Sequence, residues 1–256
     1  MGKDNDNKLT TVKAFDYVNG QLVCRGFVYE VGKTYEAQDD VSLCSSGFHA
    51  SANNDISDTV FYYPNVLETA YAVVELDVVS KGYFKAVGNK IKIVQLIETL
   101  DEKIQYDKTG LWSYIYAYFL SRTDGYDVNK IQQLKESVIQ KDSNGKLCYF
   151  FATNVLNLSQ NDVLELQNAI INKDETGEYC YSLAKSDIDN LDKEALQNCV
   201  ISKDTTGQWC SLYARDIQDA DINALQQAVI EKDHDGLWKE WFAYNVDGAN
   251  KQLLLD

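Results

Sequence analysis

Four side chains in the first fifty residues are of the types that bind a phosphorylated ligand. Arg25 supplies a guanidinium group, which can pair with phosphate through two parallel hydrogen bonds. Tyr29 and Tyr35 supply aromatic rings on which a base can stack, and His49 follows in a Gly-Phe-His segment. If this part of the chain binds a small ligand, we expect these four residues to line a nucleotide-binding cleft.

Together with Glu75 on a predicted strand, two of these residues suggest a catalytic alternative. ADP-ribosyltransferases carry an Arg or His, a small polar or aromatic motif and a Glu on successive strands, and the order Arg25, His49, Glu75 is similar to that pattern. No Ser-Thr-Ser motif accompanies it. In the structural alternative, Arg25 pairs with a carboxylate such as Glu30 or Glu36, and His49 is a core or edge residue with satisfied hydrogen bonds. We therefore assign no catalytic residue.

Other kinds of site lack their characteristic residues. Zinc sites need several His or Cys ligands at known spacings, whereas this chain has two His, and its six Cys form no C-x-x-C pair. A cysteine hydrolase would need Cys44 beside His49, but the two lie five residues apart on a loop and strand. No Gly-rich phosphate loop is present. The sequence thus predicts no metal site and no cofactor.

A short sequence motif, called the repeated phrase below, recurs five times in the chain beyond residue 98. Aspartate, two variable residues and glycine recur, and an alanine follows each glycine seven positions later; the glycines are Gly110, Gly145, Gly177, Gly207 and Gly236. Their spacing is typical of stacked helical hairpins. In the last four copies, a leucine and an apolar pair four and five positions later predict the buried face of a first helix. We expect the glycine to close that helix in a left-handed conformation.

The recurring residues of this phrase are interpreted as structural. The alanine marks a close approach of two helices, and Cys148, Cys180 and Cys210 recur three positions after the glycine as small buried residues. The copy at 233–236 most resembles a calcium loop, but it lacks the further oxygen ligands that calcium needs. The Asp-x-x-Gly segments are therefore predicted to be turns.

Alternating apolar residues before this array predict strands, with the clearest at 71–79 and 90–96. A short strand is expected at 13–15, and two further strands are expected to join near Gly32. The predicted protein is α+β: a polar tail at 1–9, a β-rich domain at 10–98, and at 99–256 an α-solenoid of about five HEAT-like helical hairpins with a C-terminal cap.

The segments KAF, CRGFVYEVGKTYE, LCSSGFHAS, FYYP, VVELDV and KIKIV together resemble an uncharacterised small domain encoded in bacteriophages and prophages. That domain occurs alone or fused to repeats, and the resemblance covers about a third of this chain. The family often has a second cysteine after GFHA, where this chain has Ser51. The resemblance implies a viral origin and brings no established activity.

The charge balance restricts the partners. A formal charge of -15 disfavours direct binding to nucleic acid or to an anionic membrane. It suits an acidic surface that occupies a basic groove on another protein, and most of the excess lies in residues 101–256. The polar start of the chain and the lack of a long apolar run predict a protein of the host bacterial cytoplasm with reduced thiols.

These features lead to a binding protein as the first interpretation: a phage-encoded acidic module that inhibits a bacterial anti-phage protein, such as a CRISPR effector or a nuclease. The aromatic content of the chain suggests anchors for this host partner, although core filling is the alternative for each. The candidate anchors are Tyr62, Tyr63, Tyr114, Tyr118, Tyr126 and Trp241. Other functions left open are a nucleotide-binding or ADP-ribosyltransferase-like N-terminal domain and a phage accessory protein without a defence role. The sequence leaves the oligomeric state undefined.

Overall fold

The computed structural model describes residues 7–38, 40–43 and 45–255. Cys44, considered above for a cysteine hydrolase, lies outside the described residues. An antiparallel sheet is followed by helices, so the α+β prediction is confirmed. The chain divides into two compact units, Met1–Lys141 and Asp142–Asp256. The first unit therefore includes helices that the sequence assigned to the array beginning at residue 99.

The described part of the first unit contains seven strands: β1 Lys8–Val18, β2 Gln21–Cys24, β3 Phe27–Tyr29, β4 Thr34–Glu36, β5 Phe48–Ser51, β6 Thr69–Lys81 and β7 Lys85–Ile97. Their order in the sheet is β3-β2-β1-β6-β7-β4, and β5 also pairs with β7. The strands predicted at 13–15, 71–79 and 90–96 lie within β1, β6 and β7. All three are longer than predicted, because β6 pairs along its length with β1 on one side and β7 on the other.

One face of this sheet carries an apolar core. Alternate residues of each long strand point to it, as the period of two requires. They include Phe15 on β1, Val74 and Leu76 on β6, and Ile91 and Ile93 on β7, all fully buried. The apolar residues that alternate in the sequence of these three strands are therefore the residues that the core buries.

The two strands expected to join near Gly32 are β3 and β4, which residues 30–33 connect, although the two strands do not pair with each other. The tight hairpin lies earlier, where Arg25 and Gly26 form a two-residue loop between β2 and β3 with φ of 50° and 78°. Two successive positive φ angles match the twist of a hairpin. Gly32 instead donates its N–H to the carbonyl of Ile93, and β4 then pairs with β7. Arginine is an unusual residue for such a turn, so the sequence signal was weak.

Three helices complete the first unit: α1 Leu100–Tyr106, α2 Leu111–Leu120 and α3 Val128–Lys141. A short 3-10 helix spans Ile56–Thr59. Trp112 of α2 is fully buried, and its indole Nε1 donates a hydrogen bond to the Tyr71 hydroxyl of β6 at 3.0 Å. This bond fastens α2 to the sheet within the unit.

The second unit consists of helices throughout its described part: α4 Lys146–Asn154, α5 Gln160–Lys173, α6 Glu178–Ala184, α7 Lys193–Lys203, α8 Gln208–Asp216, α9 Ile222–Lys232, α10 Leu237–Asn245 and α11 Lys251–Leu255. In one row α4, α6, α8 and α10 contact one another in turn, and α5, α7 and α9 form a second row. Two rows of alternating helices are the arrangement of a helical-hairpin array. Leu254 of α11 is buried, as expected of a terminal cap.

Each Asp-x-x-Gly segment is a turn, but it starts a helix rather than closing one. Gly177 has a φ of 83° and caps the N-terminus of α6, whereas α5 has already ended at Lys173. The Asp174 carboxylate accepts hydrogen bonds from the backbone N–H groups of Gly177 and Cys180, both at 2.9 Å. It thereby satisfies donors that the first turn of a helix leaves free. The bond six positions after the aspartate recurs at Asp107, Asp142, Asp204 and Asp233.

The repeat also uses a glutamine that sequence reasoning missed. It directly follows the leucine that recurs in α5, α7 and α9, and its side-chain oxygen accepts a backbone N–H from the start of the next hairpin. The pairs are Gln167 with Asp192, Gln197 with Asp221, and Gln226 with Asn250. The leucines, alanines and cysteines of the phrase are buried as predicted. Among the described residues, no helix combines the length and apolar character needed to cross a membrane.

Candidate functional site

A cavity of about 800 Å³ lies in the first unit, which is within the usual range for small-ligand sites. It is lined by β1, the β2–β3 hairpin, β5 and the segment around residues 58–63. Arg25, Tyr29 and His49 line it, so three of the four residues proposed to bind a ligand lie around one space. Tyr35 is outside the lining: its hydroxyl accepts the Glu30 N–H at 2.8 Å, and its ring packs edge-on against Tyr29.

A buried lysine forms the base of the cavity. Lys13 of β1 is only 4% exposed, and its ammonium donates a hydrogen bond to the backbone carbonyl of His49 at 2.9 Å. Its burial lowers the pKa of Lys13, although nearby Cys24 acts in the opposite direction. Within the described ranges, this ammonium has no carboxylate partner. Burial thus favours the neutral amine, and an anion beside Lys13 would favour the protonated form instead.

Cys24 and Tyr63 adjoin this lysine. The Cys24 Sγ atom lies 3.5 Å from the Lys13 ammonium and accepts a hydrogen bond from the Tyr63 hydroxyl at 3.2 Å. Burial raises the pKa of Tyr63, and its bond to Cys24 adds to the increase, so the phenol remains a donor at neutral pH. Sequence reasoning did not select Lys13 or Cys24. The sequence signal for Lys13 was its position two residues before Phe15, which places both side chains on the same face of an apolar strand.

Arg25 stands at the rim, exposed to solvent, on the two-residue turn between β2 and β3. A φ of 50° is unfavourable for a residue with a Cβ. Glycine and asparagine tolerate this conformation, whereas arginine does not. The guanidinium donates one long hydrogen bond, 3.4 Å, to the Ser45 carbonyl. The alternative pairing of Arg25 is wrong, since Glu30 pairs with Lys33 and Glu36 pairs with Lys90, each at 2.7 Å.

His49 of β5 is half-buried in the cavity wall. Its Nε2 atom is buried and has no hydrogen-bond partner among the residues that the structure describes. The expectation that this histidine is satisfied is therefore incorrect. Burial lowers its pKa, and the positive charges of Lys85, Lys13 and Arg25 lower it further. The imidazole is thus neutral at pH 7, and its Nε2 atom is enclosed without a partner in the described part of the chain.

The described lining carries three cationic side chains and three carboxylates. Lys13, Arg25 and Lys85 all line it. Of the lining carboxylates, Glu36 is held by Lys90, and the buried Asp58 accepts hydrogen bonds from Ser51 and Asn53. Asp16 is exposed at the edge. The buried Asp58 carboxylate therefore offsets part of the positive charge of the lining.

Aromatic rings form much of the remaining wall: Phe27, Tyr29, Phe48, Tyr62, Tyr63 and Phe84. The Lys85 ammonium lies 5.0 Å from the centre of the Tyr62 ring. Such rings offer flat faces against which a heterocycle can stack. The cavity therefore combines cationic groups with aromatic surface.

The pattern that resembles an ADP-ribosyltransferase is not assembled around this cavity. Glu75 lies on β6 outside the lining and faces Lys92, with 4.0 Å between Oε2 and Nζ. Only Arg25 and His49 of that set share the cavity. The described arrangement thus has groups suited to binding, without the glutamate that the comparison requires.

The candidate partner anchors are dispersed. Tyr62 is 56% exposed, while Tyr63 is half-buried against Cys24. On α2, Tyr114 and Tyr118 are half-buried with ring centres 6.4 Å apart, and the Arg122 guanidinium lies over the Tyr118 ring. Tyr126, between α2 and α3, is also half-buried. In the second unit, the half-buried Trp241 packs against Trp238 and Arg215.

Residues 12–103 match a family described as Domain of unknown function (DUF7666). This segment contains the cavity and its described lining residues. No curated protein and no solved structure matched the chain. The chain is therefore similar, over its sheet and the start of α1, to a family without an assigned function.

Proposed function

We propose that the N-terminal unit binds a phosphate-bearing nucleotide in the cavity between β1, β5 and the β2–β3 hairpin. The observation that carries this proposal is the burial of the Lys13 side chain in the cavity lining, without a carboxylate partner in the described part of the chain. Few proteins retain a buried lysine without a carboxylate partner, because its desolvation is costly unless another interaction compensates. A phosphate oxygen supplies such an interaction.

The other lining groups suit the rest of a nucleotide. Arg25 and Lys85 also line the cavity and can neutralise further phosphate charge. The aromatic wall offers a stacking surface for the base. A volume of about 800 Å³ is sufficient for a molecule of this class.

Binding is tested by thermal shift with ADP, ATP, GTP and NAD, followed by calorimetric titration of those that stabilise the protein. Adenosine, which lacks phosphate, and inorganic phosphate, which lacks the nucleoside, are the matched controls. We expect a nucleotide to stabilise the protein more than either half, because it uses the cationic base and the aromatic wall together. The absence of a shift with all four nucleotides would exclude this function.

A second candidate is binding to a host protein, as the acidity of the chain suggests. It is supported by an exposed aromatic cluster in the first unit that consists of Phe61, Tyr62, Tyr83 and Phe84. Phe61 and Tyr83 are 67% and 79% exposed, and both contact Phe84. Exposed rings grouped in this way are typical of interaction surfaces. We propose a bacterial defence protein with a basic nucleic-acid groove, such as a CRISPR effector or nuclease, as the partner class.

Affinity capture from a bacterial lysate at low salt tests this second function. The bait is the full chain, and the control is a Phe61→Ser, Tyr83→Ser double variant with two rings of the cluster removed. A stoichiometric partner that the wild type retains and the variant loses supports the function. Equal retention by both proteins, or no retained partner, counts against it. Plaque assays with and without the gene then separate a defence role from that of a phage accessory protein.

A further inference from the structure

Two cysteines of neighbouring hairpins meet inside the second unit. Cys180 lies on α6 and Cys199 on α7, with 0% and 5% exposure. Their sulfur atoms are 2.6 Å apart, and the Cys180 thiol donates to Cys199. Both are free thiols. Two sulfurs this close require little movement to become bonded.

Among the repeats, only the α6–α7 hairpin junction has cysteine at both of these positions. Cys180 belongs to the repeated phrase, three positions after its glycine, but Cys199 replaces a small residue: the equivalent positions hold Ser137 in α3, Ala169 in α5 and Ala228 in α9. In the first unit the corresponding residues, Ser113 and Ser137, hydrogen-bond at 2.9 Å. The register of the repeat therefore brings these two positions together.

We propose that Cys180 and Cys199 form a reversible disulfide that fastens the hairpin of α5 and α6 to that of α7 and α8 under oxidising conditions. The co-reactant is hydrogen peroxide. The Cys199 thiolate attacks one peroxide oxygen, which gives a sulfenic acid and releases hydroxide. The Cys180 sulfur then attacks the sulfenic sulfur, and hydroxide leaves. With the two thiol protons, the products are one disulfide and two waters, and the electrons lost by sulfur reduce the peroxide.

The electrostatics fit this order of attack. The hydrogen bond from Cys180 lowers the pKa of Cys199, and the same bond, with burial, raises the pKa of Cys180. Cys199 is also the more exposed of the two. By contrast, burial raises the pKa of Cys148 and of Cys210, which leaves these two cysteines poor nucleophiles.

A metal site is the competing use of these residues. Asp174, Cys180 and Cys199 place three ligand atoms within 4.8 Å of one another. However, both Asp174 oxygens already accept backbone N–H groups, from Gly177 and Cys180. A structural zinc site uses four ligands, commonly Cys and His. The pair is therefore better suited to a disulfide.

The test uses the full chain, reduced and then treated with hydrogen peroxide. Remaining thiols are labelled with maleimide under denaturing conditions, and the protein is digested with trypsin without reduction. Cleavage after lysine and arginine places Cys148, Cys180, Cys199 and Cys210 on separate peptides, with Cys180 in 174–185 and Cys199 in 194–203. We expect these two peptides to appear linked, while Cys148 and Cys210 carry maleimide.

Thermal unfolding supplies a second readout. Closing the loop between residues 180 and 199 should raise the Tm of the second unit by roughly 6 to 12 °C, and a dithiol should reverse the increase. Cys199→Ala is the matched control, since Ala169 and Ala228 occupy this position naturally. Its Tm should not respond to peroxide. Equal maleimide labelling of all four cysteines after oxidation, or a stoichiometric metal ion that is lost in Cys199→Ala, would overturn the proposal.

Discussion

The ammonium group of Lys13 hydrogen-bonds to the backbone carbonyl of His49 at 2.9 Å, which joins β1 to β5 at the base of the cavity. The same histidine has a buried Nε2 without a partner in the described chain, and the lysine has no carboxylate there. Two residues of the cavity lining are thus joined directly by a hydrogen bond. The proposed nucleotide site depends on this relationship.

Arg25→Asn separates binding from stability. Asparagine adopts positive φ more readily than arginine, so we expect the free energy of unfolding to rise by about 0.5 to 1 kcal/mol. Loss of the guanidinium should weaken ADP binding about tenfold or more, as one charge-assisted phosphate contact is removed. Chemical denaturation and calorimetry measure the two effects. Lys92→Gln is the charge control: it removes a cation outside the cavity and should leave ADP affinity within about twofold.

The stability of the protein should depend on pH through His49. Folding lowers the pKa of this histidine below its usual value near 6.5, mainly by burial. As the pH falls through about 6.5, the unfolded chain takes up a proton that the folded protein does not bind. The free energy of unfolding therefore falls between about pH 7 and pH 5.

His49→Gln should reduce that pH dependence, measured by urea unfolding at several pH values. His234→Gln is the matched control, because His234 is the other histidine of the chain and is exposed on a turn of the second unit. An unchanged slope in His49→Gln would contradict the assigned cause.

Lys13→Met tests whether the buried ammonium serves function rather than stability. Methionine has a similar length and needs no desolvation of a charge. We expect the variant to unfold at a denaturant concentration equal to or above that of the wild type, and to lose detectable ADP binding. A large loss of stability would indicate that the lysine is required by the fold instead.

The turn aspartates should stabilise the hairpins strongly. Asp204 is buried and accepts the backbone N–H groups of Gly207 and Cys210 at 3.0 and 2.9 Å. Asp204→Ala should lower the free energy of unfolding by about 2 to 4 kcal/mol, because it leaves helix N-terminal donors unpaired. Thr205→Ala, at an exposed position of the same turn, should cost less than about 0.5 kcal/mol. Urea denaturation of both variants provides the comparison.

Periodicity was sufficient to predict the long strands and the helical array. Leu166 and Ile170, four residues apart, share a buried face, and alternation on β6 buries Val74 and Leu76. Both patterns depend only on the local geometry of one element. The role of glycine in the turns was misassigned because Gly177 follows one helix and precedes another, and a left-handed conformation suits either position.

The cavity was predictable only in part. Arg25 and His49 were selected for their chemistry, but Lys13 belongs to an apolar strand, and its significance depends on β5 lying beside it. Tyr35 was selected as a lining residue of the same cleft, yet its hydroxyl accepts the backbone N–H of Glu30 within the β-rich unit. Whether such a residue lines the cavity depends on contacts between segments that are distant in sequence, and local sequence patterns do not predict those contacts.

Calorimetric titration of the full chain with ADP, alongside Lys13→Met and Lys92→Gln, tests the central claim most directly. We predict saturable one-to-one binding to the wild type and to Lys92→Gln, and no saturable heat with Lys13→Met. Equal binding to all three proteins, or the absence of saturable binding to the wild type by ADP, ATP, GTP and NAD alike, would contradict a nucleotide site built on Lys13.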